Sequence, residues 1–253
     1  MGSLKKNKAT NEPTLIIEAG LSDLARRGAE IFTRTAKDSV AMQGFFSVAI
    51  SGGSTPRRMH KMLVKHPYLA GIPWEKTHVF WADERMVPFN HPDSNYGTAK
   101  RDFLDKAPIP PAQIHPMPAW SSPETAATLY QKELERFFQL EKDKVPIFDL
   151  IFLGIGIDGH TASLFPGAKI SDDRGPWLAS VKGGNPNVNR LTMTYPIINQ
   201  GKHVIFLVSG KEKAEVVKAI FEDKKAGLPA QRVQPKNGEL SWLLDREAAS
   251  LLP

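Results

Sequence analysis

The chain has 253 residues, 41% apolar and 24% charged, which excludes a disordered polyelectrolyte and allows one large domain or two small ones with a substantial core. With 33 Lys and Arg against 27 Asp and Glu the net charge is +6, a balance that suits nucleic acid, a membrane surface or an anionic metabolite equally well. The absence of cysteine excludes disulfides, thiolate nucleophiles, iron–sulfur clusters and cysteine zinc sites, and nothing points to an oxidising compartment.

Met1 to Lys8 is polar and basic and no apolar stretch comes before Leu15, so residues 1–13 are expected to form a flexible basic tail, not a signal peptide. Gly2 invites N-myristoylation, but Lys6 stands where that motif needs Ser or Thr. Leu15 to Glu18 reads as a first strand, after which Leu21, Leu24, Gly28, Ile31, Phe32 and Thr35 share one helical face. Phe45 to Ser51 predicts a strand, Thr55 to Val64 a helix, Val79 to Asp83 a third strand and Ser94 to Leu104 a further helix. A proline-rich connection follows. Ser122-Pro123-Glu124 then supplies a hydroxyl cap, a first-turn proline and a carboxylate at the positive end of the dipole, starting a helix that should run to about Leu140. Phe148 to Gly154, Leu191 to Tyr195 and His203 to Val208 are the remaining strong strands, and Ala214, Val217, Ile220 and Phe221 mark a late amphipathic helix. Short β-branched runs alternating with helical stretches predict an α/β fold, a Rossmann-like, mostly parallel sheet with helices on both faces, as a single domain over residues 14–253. The longest apolar runs, such as Phe148 to Ile157, fall short of the roughly 18 residues that cross a bilayer, so a cytoplasmic protein without membrane association is expected.

Functional groups of open α/β sheets gather in the loops after the strands, and four such loops stand out. Ser51-Gly52-Gly53-Ser54-Thr55-Pro56-Arg57 is a glycine turn before a helix, able to offer backbone N–H groups, hydroxyls and a positive dipole end to an anion, or simply to cap the helix. Asp83-Glu84-Arg85 closes a strand, either as a solvated ion cluster or as part of a site. His91-Pro92-Asp93-Ser94-Asn95-Tyr96 reads first as a helix start capped by Ser94 or Asn95. Gly154-Ile155-Gly156-Ile157-Asp158-Gly159-His160-Thr161 has the spacing of a dinucleotide fingerprint, but Pro166 and Gly167 stop any following helix and no acid-terminated second strand follows at the right distance. There remain Asp158 and His160 on a glycine loop, a carboxylate two residues from an imidazole suited to take a proton near neutral pH. The other histidines lie in helices, at strand starts or beside prolines. No histidine pair has metal-ligand spacing, no Gly-x-Ser-x-Gly elbow occurs, and the basic residues are too interspersed with acids for a nucleic-acid stripe.

Together the four loops resemble the 6-phosphogluconolactonase family, within the superfamily shared with glucosamine-6-phosphate deaminase, and the likeness runs from about residue 15 to the end through Arg190-x-Thr192, Ser209-Gly210-Lys211 and Leu228-Pro229-Ala230. The deaminase pattern differs, with Tyr at the position of Arg85 and Ile-Ala-Phe-Asn-Glu-Pro where this chain has Thr161-Ala162-Ser163-Leu164-Phe165-Pro166. The resemblance implies hydrolysis of 6-phospho-D-glucono-1,5-lactone without metal or organic cofactor, by a monomer or weak homodimer. A reactive lactone needs positioning, a base for water and donors for the oxyanion, but no covalent nucleophile. On that basis His160 is the base and Asp158 orients it, the Gly52-Gly53 turn supplies donors, and Arg85 with Lys211 holds the phosphate. Ser51, Ser54, Thr55, Asp83, Ser94, Asn95, Gly156, Gly159 and Arg190 complete the expected substrate site. A sugar-phosphate deaminase or isomerase, and a non-catalytic sugar-phosphate sensor with no use for His160, are the rival readings.

Overall fold

The computed structural model describes residues 12–142, 144–168 and 175–253, so the basic tail up to Asn11 lies outside the described residues. β1 (Thr14–Glu18) leads to α1 (Leu21–Gln43), which buries the stripe from Leu24 through Ile31 and Phe32 to Ser39 and stops at Gly44, whose φ of 87° ends the helix in the left-handed region. β2 (Phe46–Ile50), α2 (Ser54–Leu63), the single turn α3 (Tyr68–Gly71) and β3 (Thr77–Trp81) follow. Next come β4 (Asp83–Arg85), α4 (Asn95–Ala99), which continues as a π turn to Leu104, β5 (Ile114–His115) and α5 (Pro123–Phe138). Ser122 caps α5 as its sequence requires, accepting the Thr125 N–H at 3.3 Å. β6 (Leu150–Leu153), β7 (Leu178–Gly183), β8 (Val188–Met193), the turn α6 (Tyr195–Ile198), β9 (His203–Val208), α7 (Ala214–Glu222) and β10 (Glu239–Asp245) complete the chain.

The seven-stranded sheet is parallel throughout, in the order β1-β10-β9-β6-β2-β3-β5. Both of its faces are covered. Phe46 of β2 meets Phe32 of α1 edge-on at 5.3 Å, whereas Phe80, three positions past the Thr77 that pairs with Phe46, points the other way onto Phe137 of α5 and Phe148. Each fully buried aromatic of this kind contributes about 1.5 to 3 kcal/mol. Under the sheet Asp149, 1% exposed, accepts the Ser47 N–H at 2.8 Å, the Ser47 hydroxyl at 2.9 Å and the Lys202 ammonium at 2.7 Å, tying together the starts of β2, β6 and β9.

Two strand expectations need correction. The run from Val79 to Asp83 is not one strand: the Ala82 N–H still bonds Ile50 O of the main sheet, but its carbonyl accepts from Met193, and Asp83–Arg85 crosses into a second, antiparallel sheet in the order β4-β8-β7. Likewise the strand expected from Leu191 to Tyr195 ends at Met193, and Tyr195 opens α6. The pattern also left β5, β7 and β10 unassigned, although β10 lies inside the sheet between β1 and β9.

His60 of α2 is fully buried against Phe103 with neither ring nitrogen partnered among the described residues, and burial, which outweighs the pull of Asp102, lowers it from 6.5 to about 4. It is therefore neutral in the fold. Its neutral form supports the fold fully above the ordinary value of 6.5, and that support is lost as pH falls from there toward about 4, at about 1.4 kcal/mol per pH unit. His60→Leu is expected to raise the melting temperature at neutral pH and by more at about pH 5; melting curves with a gap that does not widen on acidification would contradict this assignment.

Candidate active site

In the main sheet the chain leaves β2 toward β3 and β6 toward β9, in opposite directions, so the carboxyl ends of these two neighbouring strands open a crevice at a topological switch point. A cleft of about 230 Å³ occupies it, walled by the turn from Ser51 to Pro56 after β2, Gly154 to Gly156 and His160 after β6, Asp83, Arg85 and Asn95, Arg190, and Leu207 to Ser209 with Lys213 after β9. Close approach of these loops is set by glycine. A Cβ on Gly52 would lie 1.9 Å from Asn95 Oδ1, and one on Gly156 would lie 2.0 Å from His160 Nδ1 and 2.4 Å from Asp158 Oδ1.

The imidazole is tethered on one side. Asp158 Oδ1 lies 2.6 Å from His160 Nδ1 and also accepts the His160 N–H at 3.2 Å, while Gly156 N–H donates to His160 O at 2.8 Å. A carboxylate only accepts, so Nδ1 carries the proton and Nε2 keeps the lone pair of a base. Partial burial opposes ionisation of Asp158, but the hydrogen bonds from the His160 ring and backbone, with the attraction of its charge, hold the carboxyl below its ordinary value. Phe165 lies 4.8 Å from the imidazole, Ala162 holds the loop at a φ of 48°, and Ala230 N–H donates to Gly159 O at 3.0 Å.

Opposing charge is concentrated in the second sheet. β4 and β8 pair Arg85 with Arg190 directly, placing two guanidinium groups in one wall of the cleft. Arg190, 3% exposed, donates to Gly183 O at 2.8 Å and Pro186 O at 3.1 Å, and burial followed by the repulsion of Arg85 lowers its pKa. Arg85 donates to Asp93 O at 2.7 Å. The nearest compensation for Arg190 is Asp83, whose Oδ2 accepts the Ser163 hydroxyl at 2.7 Å and sits 4.0 Å from Arg190. α2 follows the N-cap residue Gly53 with no side-chain cap, leaving first-turn N–H groups without a capping side chain, and Gly53, Ser54 and Thr55 line the same cleft. The cleft is built for an anion at one wall and a proton acceptor at another.

Of the residues singled out in the sequence, Ser51, Gly52, Gly53, Ser54, Thr55, Asp83, Arg85, Asn95, Gly156, His160 and Arg190 line this one cleft. Four others do not. Asp158 stands behind His160; Gly159, at a φ of 78°, packs toward Leu228; Ser94 is buried, its hydroxyl capping Gly97 and reaching Glu84; Lys211 is exposed outside the wall. Lys213, one 3-10 turn further on, is the lysine that lines the cleft, and the sequence reading missed it. Among the described residues no group of three or more His, Asp or Glu is placed to hold a metal.

The family model described as glucosamine-6-phosphate isomerases/6-phosphogluconolactonase matches residues 20–242, which contain every residue of this cleft. The chain belongs to that family. Within it, the chain is 46% identical to 6-phosphogluconolactonase of Synechocystis over 229 residues, 88% of this chain and 90% of that one. It is 39% identical to 6-phosphogluconolactonase 3, chloroplastic, of Arabidopsis thaliana, across 91% of this chain and 71% of the relative. The solved structure of 6-phosphogluconolactonase from Trypanosoma brucei superposes with a TM-score of 0.87 at 30% identity, covering 96% of this chain and all of that one. Since Gly156 leaves no room for a methyl group beside the His160–Asp158 contact, Gly156→Ala should lower turnover at least about tenfold while the protein stays folded by circular dichroism; wild-type turnover would detach the close approach from activity.

Proposed function

We infer that the chain hydrolyses 6-phospho-D-glucono-1,5-lactone to 6-phosphogluconate, the second step of the oxidative pentose phosphate pathway. The relatives' names support this reading, and the observation that carries it is the imidazole whose Nδ1 lies 2.6 Å from Asp158, leaving Nε2 as a base beside a strongly cationic wall. His160 Nε2 takes a proton from water as its oxygen attacks C1, and charge passes to the carbonyl oxygen. The unpaired N–H groups at the Gly53 end of α2 stabilise that oxyanion. Collapse of the tetrahedral species breaks the bond from C1 to the ring oxygen, which receives the proton from His160. Asp158 stabilises the intervening imidazolium.

Arg85, Arg190 and Lys213 hold the phosphate, the Arg forks matching its oxygens and the Lys adding a point charge. This binding positions the ring and leaves the chemistry to His160. No step calls for a metal or an organic cofactor, and no nucleic acid or membrane takes part. The reading extends to a monomer or weak homodimer. The substrate's phosphate confines it to the compartment that holds the enzyme, which this reading takes as the cytoplasm; the chloroplastic Arabidopsis relative names the alternative.

On freshly made lactone, corrected for spontaneous hydrolysis, His160→Ala should lose about 100-fold or more in turnover, and Asp158→Asn should lose less. Retention of half the wild-type rate by His160→Ala would remove the base from the mechanism. By calorimetry Arg85→Ala, Arg190→Ala and Lys213→Ala should each weaken 6-phosphogluconate binding by about 1.5 to 3 kcal/mol, whereas Lys211→Ala should leave it nearly unchanged. The reverse order of the two lysines would return the phosphate to the opening of the turn.

A further inference from the structure

Glu84 is the one member of the Asp83-Glu84-Arg85 motif that the cleft does not use, yet it is 0% exposed and more densely hydrogen-bonded than either neighbour. Its Oε1 accepts the N–H groups of Arg85 at 2.7 Å and Asn95 at 2.8 Å, and its Oε2 accepts the Tyr96 N–H at 2.7 Å and the Ser94 hydroxyl at 3.3 Å. Four donors converge on two oxygens, which only an ionised carboxylate satisfies in full. Two of the four belong to residues that wall the cleft.

We propose that Glu84 is a positioning residue for the phosphorylated substrate, its carboxylate clasping the end of β4 to the start of α4 so that Arg85 and Asn95 are held in place. The inference rests on the lactonase reading above. β4 is only three residues long and ends on Arg85, so the aim of a long, adaptable guanidinium depends on what fixes its backbone. The same clasp sets the Asn95 side chain, whose amide donates to Asp83 O at 2.8 Å and whose Oδ1 lies where a Cβ on Gly52 would fall. Through Glu84, then, the phosphate wall, the start of α4 and the β2 turn keep a common register.

The clasp is also proton-sensitive. Burial raises Glu84 to about 7 against the three backbone N–H bonds, and the Asp83 charge pushes the same way. The charged or titratable groups around it are Asp83 and Arg85 on β4, Tyr96 at the start of α4, Tyr130 on α5 and Arg190 on β8. Above about 7 the carboxylate accepts all four bonds; as pH falls through that value a proton makes one oxygen a donor among donors, and the clasp loosens.

Glu84→Gln keeps the shape and fixes the neutral state. Titrated with 6-phosphogluconate at about pH 8, it should bind about tenfold more weakly than wild type, and at about pH 5.5 the gap should close to within about twofold, because wild-type Glu84 is then protonated too. Titration of the ligand's phosphate is common to both proteins and cancels in this ratio. On the lactone, the loss should fall on KM with kcat within about twofold. Equal affinities at about pH 8, or a ratio that does not change with pH, would overturn the proposal. Where circular dichroism finds Glu84→Gln unfolded, Ser94→Ala, which removes one of the four donors, must still raise KM about twofold or more, and a wild-type KM would overturn the clasp. Wild type inactive on fresh lactone would instead sink the reading of the whole site, an outcome separate from an active wild type with an indifferent Glu84→Gln.

Discussion

Everything in the cleft depends on two places where the backbone has no room for a β-carbon. Gly52 lets Asn95 lie against the turn after β2, and Gly156 lets the His160 ring fold back onto Asp158 in the loop after β6. These are the two strands that meet at the switch point of the sheet, so the missing side chains allow the opposed loops to close around the cleft. A methyl group at either position would push apart atoms that the chemistry needs within hydrogen-bond distance. The parallel sheet supplies the rigidity behind them: its central strands are buried on both faces and their starts are pinned by Asp149.

The second constraint is electrostatic. Arg85 and Arg190 stand opposite one another across β4 and β8, an arrangement of like charges that disfavours the empty site. Asp83 and Glu84 counter it from behind, both buried, one beside Arg190 and the other beneath the backbone of Arg85. Ala162 adds a left-handed backbone conformation at a residue with a side chain, in the loop that carries the histidine. Like charges brought together and strained backbone are both features that cost stability in a free protein and are relieved or used when ligand is present.

This geometry also gives a physical meaning to Arg85, one of the two places where the sequence departs from the deaminase pattern it otherwise resembles. A guanidinium at position 85 pairs across the ladder with another at position 190, and both line one wall of the cleft. An aromatic side chain there would leave Arg190 alone with Asp83 and remove one fork from the wall.

Local spacing made much of this legible. Periodicity gave α1, α2, α5 and α7 and most of the parallel strands, and the glycine loops gave the turn after β2 and the Asp158–His160 pair, because both are fixed by residues within a few positions of each other. What the sequence left open depends on residues far apart in the chain meeting across a ladder or a turn. The switch of Asp83–Arg85 into a second sheet follows from Ala82 bonding Ile50 on one side and Met193 on the other, and only that switch brings Arg85 to Arg190. β10 passed unnoticed because no helix follows it to mark an alternation, although its partners lie on both sides. Lys213 and not Lys211 reaches the cleft because a 3-10 turn rotates one inward and leaves the other in solvent, and Ser94 turns away from the cleft because Glu84 lies on its other side. Sequence determined which chemical groups are present and which near neighbours they have; tertiary register decided which of them converge, since hydrogen bonds and charge pairs act only over a few ångströms of space, whatever the distance along the chain.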